Sequence, residues 1–98
     1  MEEQTRLNIL QLAKANIGAL GSTIYDDLLN SLIESAVPMI EREGIVLDLG
    51  TAEDINLVVG YTSWLFWQRE KPAMPMPRWL RYALNNKLMH QKAVSGGE

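Results

Sequence analysis

The sequence predicts an all-α domain: a small bundle of about four helices with a hydrophobic central helix, a proline-rich loop and a short basic C-terminal helix. Three observations carry this. Apolar residues recur at spacings of three and four in four separate segments; glycine, threonine and proline punctuate the gaps between them; and the only strand-like alternation, Ile45 to Leu49, has no second strand to pair with. A chain of 98 residues is one domain, 1–98, with residues 1–4 and 95–98 expected to fray.

The first helix is predicted over Thr5 to Asn16, with Leu7, Leu10 and Lys14 on one stripe and Ile9, Leu12, Ala13 and Ile17 on the next. Gly18 and Gly21 bracket its exit, since glycine tolerates the positive φ that ends a helix. Thr23, with Asp26 three residues on, reads as the cap of a second helix starting near Ile24. Tyr25, Leu28, Leu29, Leu32, Ile33, Ala36, Val37 and Ile40 give that helix one wide apolar stripe. Pro38 interrupts the stripe, and the missing N–H and crowded ring predict a kink or local break. Gly44 is the expected C′ residue, and Ile45 to Leu49 follows as an extended connector.

Thr51 and Asp54 form a second capping arrangement, and the helix they open should run to about Arg69. Ile55, Val58, Val59, Thr62 and Phe66 share one face, and Leu57, Tyr61, Trp64 and Leu65 the neighbouring one, so this helix is apolar nearly all round and belongs at the centre. Gly60 in its middle costs about 1 kcal/mol of helix propensity and lets a neighbour approach closely. Three prolines between Lys71 and Pro77 forbid helix and make a stiff loop. Pro77 suits the first position of a last helix, predicted from Arg78 to about Ala93.

Composition narrows the function classes. At 47% apolar and 21% charged the chain is too hydrophobic for disorder and too often interrupted by charge to cross a bilayer, so no membrane partner is expected. Zero cysteines exclude disulfides, iron–sulfur clusters and thiolate zinc sites. The acidic Met1-Glu-Glu-Gln-Thr-Arg6 start lacks the basic and apolar runs of a signal peptide, which predicts a cytosolic chain. Charge is segregated: residues 1–68 hold Arg6, Lys14 and Arg42 against ten acidic groups, whereas residues 69–98 hold six basic groups against Glu70 and Glu98. An acidic body and a basic end complement one another between copies arranged head to tail, or the basic end meets a separate acidic partner.

Catalytic chemistry has little to draw on. His90, the single histidine, falls late in the last helix among Lys87 and Lys92, a comfortable place for a surface cation. The carboxylates come as sequence neighbours that diverge on a helix, so they read as caps and solvated faces, not as metal ligands. No phosphate loop, nucleophile elbow or HExxH occurs, and neither an enzyme nor a cofactor is expected. Tryptophan and arginine carry most interface energy. Their clustering nominates Trp67, Arg69, Lys71, Arg78, Trp79, Arg81 and Lys87 as protein-interface residues, with Trp67 or Trp79 partly exposed. The alternative reading of the same cations is a small helical nucleic-acid-binding or regulatory protein, against which stands the net charge of −3.

Several segments together resemble one family, the small head-tail connector proteins (head-completion adaptors) of long-tailed bacteriophages and prophages. The resemblance runs through Asp26-Asp-Leu-Leu29-Asn-Ser-Leu32-Ile33-Glu-Ser-Ala36, through Met39-Ile-Glu-Arg-Glu-Gly-Ile45 and through Glu53-Asp-Ile-Asn-Leu-Val-Val-Gly-Tyr61-Thr-Ser-Trp64-Leu. Its most distinctive piece is Met76-Pro-Arg78-Trp-Leu-Arg81-Tyr-Ala-Leu-Asn85-Asn86-Lys87-Leu. The resemblance implies a structural adaptor in the virion, assembled in the bacterial host cytoplasm. Copies would form a ring, usually of twelve, below the portal protein, extending the channel and receiving a stopper or tail-completion protein. DNA would pass through without sequence-specific binding. Trp79, Arg78 and Arg81 then fall at subunit or portal contacts, and the C-terminal segment docks on the portal.

Overall fold

The computed structural model describes the backbone of residues 1–96 and the side chains of residues 1–94. It contains four helices and, among the described residues, no strand: α1 (Glu3–Asn16), α2 (Asp26–Arg42), α3 (Ala52–Glu70) and α4 (Arg78–Gly96). The hydrophobic α3 is the axle of the bundle, touching α1, α2 and α4 in turn. Ile9 and Ala13 of α1, Leu29, Ile33, Ala36 and Ile40 of α2, Val58 of α3 and Leu80 and Leu84 of α4 are fully buried around it.

Local chemistry explains the boundaries. Gly18 (φ 75°) and Gly44 (φ 99°) take the left-handed conformation that closes α1 and α2. The Thr51 hydroxyl accepts the Asp54 N–H at 3.3 Å and caps α3. Thr51→Ala is expected to destabilise the domain by about 1 kcal/mol, measured by urea unfolding with an unchanged m-value. The Asp54 side chain does not reach back to Thr51, as a reciprocal box would require; it turns inward and accepts the Asp48 N–H at 2.7 Å, tying the connector to α3.

Four expectations are corrected. Thr23 does not cap α2 through its side chain: the helix starts at Asp26, and residues 22–25 form a turn in which Ser22 Oγ accepts the Ile24 N–H and the Thr23 carbonyl accepts the Asp26 N–H. Pro38 does not break α2, which is continuous through it, because Ile33, Ala36 and Ile40 on either side are fully buried and hold both turns on α3. Pro77 precedes α4, its carbonyl accepting the N–H groups of Leu80 and Arg81. Helical order also extends further at both ends, with Glu3 and Gln4 already in α1 and α4 passing Ala93 to reach Gly96. The rest of the predicted frayed tail, residues 97 and 98, lies outside the described residues.

Candidate interaction surface

The antiparallel α3–loop–α4 hairpin is built on one close approach. The Trp79 indole lies directly on the backbone of α3 at Gly60, where an added Cβ would stand 2.4 Å from its Cη2. The sequence-predicted room at Gly60 is thus filled by a tryptophan. Trp79 nonetheless stays 54% exposed, with Trp67 at 39%, so both indoles show themselves to solvent. Trp64 is half-buried and donates its Nε1–H to the Met74 carbonyl at 3.2 Å, which fastens the proline loop to α3. Tyr25, Phe66 and Trp67 meet edge to face at centroid distances of 5.0 and 5.1 Å, linking the α1–α2 turn to the same end of the molecule.

Replacing Gly60 tests this contact with an unusual sign. Glycine to alanine in an open helix interior gains about 1 kcal/mol. Here Gly60→Ala is expected to lower the thermal midpoint instead, because the methyl displaces the Trp79 ring. The Trp79 indole N–H resonance should move while that of Trp64 holds; a raised midpoint with an unmoved indole contradicts the geometry.

Of the seven nominated residues, five remain outward. Trp67 and Trp79 are exposed, and Arg69, Lys71 and Arg78 are exposed and make no ion pair among the described residues. Arg81 and Lys87 are instead paired within the fold, Lys87 largely buried and Arg81 still partly open to solvent. Both terminal nitrogens of the Arg81 guanidinium donate to the Glu43 carboxylate, at 2.8 and 3.3 Å, so α4 is clamped to the end of α2. That bond raises the Arg81 pKa above its ordinary value. Lys87 Nζ sits 3.0 Å from Asp54 Oδ1, a fully buried carboxylate, and 3.8 Å from Glu53, whose side chain is exposed. The Asp54 contact likewise raises the Lys87 pKa. Burial is the main cause that pushes the nearby Tyr61 hydroxyl up, with the Glu43 charge adding to it.

Sequence spacing gave no sign of a third clasp. The Gln91 side-chain amide pairs with residue 46 as a neighbouring strand would: Nε2–H donates to the Val46 carbonyl at 2.8 Å and Oε1 accepts the Val46 N–H at 3.0 Å. It supplies the edge partner that the extended connector lacks. Lys14, counted on an apolar stripe, is indeed buried, and its ammonium meets Asp26 at 3.0 Å. Leu7, its stripe neighbour, is exposed. His90 is exposed, and among the described residues no three His, Cys, Asp or Glu side chains gather as metal ligands would. No helix among the described residues is long and apolar enough to cross a membrane.

Around Trp79 the surface is concave. Depressions of about 520, 370 and 270 Å³ all have this indole as a wall, and neighbouring ones share Asn56, Asn16 and Gly60. Compared with known proteins, the chain matches no family model, no curated protein and no solved structure. Its function is therefore read from the surface itself and from the sequence motifs.

Proposed function

We propose that this chain is a non-catalytic structural adaptor of a phage head-tail connector, one subunit of a ring below the portal that extends the DNA channel and joins the head to the tail or stopper. The observation that carries the reading is the exposure of Trp67 and Trp79, which share one depression, together with that of Tyr82 and of Arg69, Lys71 and Arg78, cations that make no ion pair among the described residues. Large rings beside arginine, left in water by an otherwise buried core, are the composition of protein interfaces. The Met76-Pro-Arg78-Trp-Leu-Arg81 segment that carries the family resemblance contributes Arg78 and Trp79 to this exposed set. The internal pairing of Arg81 and Lys87 also favours a protein partner over nucleic acid, because it removes two of the cations that would grip a phosphate backbone.

The test is to mix the purified chain with its cognate portal and image the complex. Added ring density below the portal is the expected result. A portal that emerges bare overturns the reading. Salt-steep binding to duplex DNA, abolished by reversing Arg78, would replace it with the nucleic-acid alternative.

A further inference from the structure

Among the described residues, four buried side-chain oxygens have no hydrogen-bond partner in the chain: Asp26 Oδ1, Asn30 Oδ1, Asp54 Oδ1 and Thr62 Oγ1. Asp54 faces the Lys87 ammonium. The other three gather at one level of the bundle, where α1, α2 and α3 meet. Asp26 and Asn30 stand one turn apart on α2. The Arg6–Glu34 and Lys14–Asp26 ion pairs set α1 and α2 antiparallel, and Asn30 falls between those two pairs on the strip of α2 that faces α1. The Tyr25–Phe66 ring contact, at 5.0 Å, fixes the register of α2 on α3. It brings Thr62, one turn before Phe66, level with the turn from Asp26 to Asn30.

These groups are buried with hydrogen-bonding capacity unspent. The Lys14 ammonium carries three protons and, at 5% exposure, has Asp26 as its one ion-pair partner among the described residues. The Thr62 hydroxyl is fully buried and does not bond back to its own helix. Its neighbour Ser63 shows the ordinary outcome on the same helix: that hydroxyl donates to the Val59 carbonyl at 2.9 Å and accepts from Asn16 Nδ2 at 3.2 Å. Leaving a buried hydroxyl or amide oxygen unpaired costs more than a typical hydrogen bond contributes. Folded chains remove that cost with internal waters, about one per 27 residues, each bound by two to four polar groups.

We propose that a water molecule is bound between α1, α2 and α3, accepting from the Lys14 ammonium and the Thr62 hydroxyl and donating to Asn30 Oδ1 and Asp26 Oδ1. Two donors meet two acceptors, so the site is balanced and all three orphaned oxygens are satisfied at once. The water joins three helices where the Lys14–Asp26 pair joins two. This site does not rest on the adaptor reading, and a bare portal in the imaging experiment would leave it untouched.

The test uses Thr62→Val, which keeps the shape and deletes the hydroxyl, and Thr62→Ser, which keeps the hydroxyl and drops a methyl. Oxygen-17 relaxation dispersion of the solvent counts long-lived internal waters without interference from proton exchange. The wild-type chain and T62S should hold one more such water than T62V. The T62V thermal midpoint should fall by about 4–8 °C, because the variant breaks a satisfied network. If T62V fails to fold, the near-isosteric Asn30→Leu, at a half-buried position, removes one acceptor instead and should lose the same water. A water count unchanged by these variants overturns the site. So does a T62V midpoint that rises, since valine gains stability there only if the hydroxyl had been buried dry.

Discussion

Lys87→Met is expected to lower the unfolding free energy by about 3–5 kcal/mol, a large part of the 5–15 kcal/mol typical of a domain. Methionine keeps most of the volume and removes the charge. What it leaves behind is the Asp54 carboxylate, fully buried, whose Oδ1 has no partner besides the Lys87 ammonium. Oδ2 retains the Asp48 N–H, which satisfies one oxygen and not the charge. Asp54→Asn should cost less, since a neutral amide oxygen still accepts that N–H. A double variant that also replaces Asp54 by leucine should regain much of the loss, because removing both ions removes the desolvation that the pair had to offset. Urea unfolding of the three variants decides the order; equal losses would mean that the pair is no more than a surface contact.

The same pair sets the alkaline limit of stability. Lys87 and Tyr61 both have pKa values raised in the folded chain, the first by Asp54 and the second by burial. A raised folded pKa means that the folded state holds its proton more tightly than the unfolded state does. This contribution is whole below the unfolded values and is lost as pH climbs through the folded ones. Stability should therefore fall once pH passes about 10, and the Lys87→Met and Tyr61→Phe variants should each lose part of that slope.

Leu80→Ala is the second large effect, at about 2–5 kcal/mol. Leu80 is fully buried and approaches the α3 backbone at Gly60, where an added Cβ would meet its Cδ1 at 3.4 Å. Among the described side chains of α4 only Leu84 shares its depth, and the contact of this helix with α3 is narrower than that of α1 or α2. The loss should fall unevenly, with the amides of α4 exchanging faster than those of α2. A uniform rise in exchange would show instead that α4 and the body unfold as one unit. Because Trp79 rides on the same turn, this variant should also weaken any partner held at the Trp79 depressions.

How much of this was legible in the residues divides by distance along the chain. The order of the helices, the Thr51 cap, the Gly18 and Gly44 exits and the rigid loop from Lys71 to Pro77 follow from chemistry within a few positions. So does the close approach at Gly60, although its occupant does not. The Arg81–Glu43 and Lys87–Asp54 pairs join residues more than thirty positions apart, and spacing on one helix says nothing of a carboxylate arriving from another. Asp54 illustrates the limit: it reads as the partner of Thr51 in a capping arrangement, and its N–H does meet the Thr51 hydroxyl, but its side chain serves the connector and α4. Thr23 failed for the opposite reason, since Ser22 next door offered a tighter local turn. Pro38 was overruled by burial on both sides of it.

The bundle measures 48 by 33 by 18 Å, so it is flattened along one direction. Its core is gathered on α3, with Ile9, Ile33, Ile40, Leu80 and Leu84 of the other three helices buried around it. If copies assemble as proposed, each one laid against this flattened body creates interior that the lone chain does not possess, and the thermal midpoint should then climb with protein concentration.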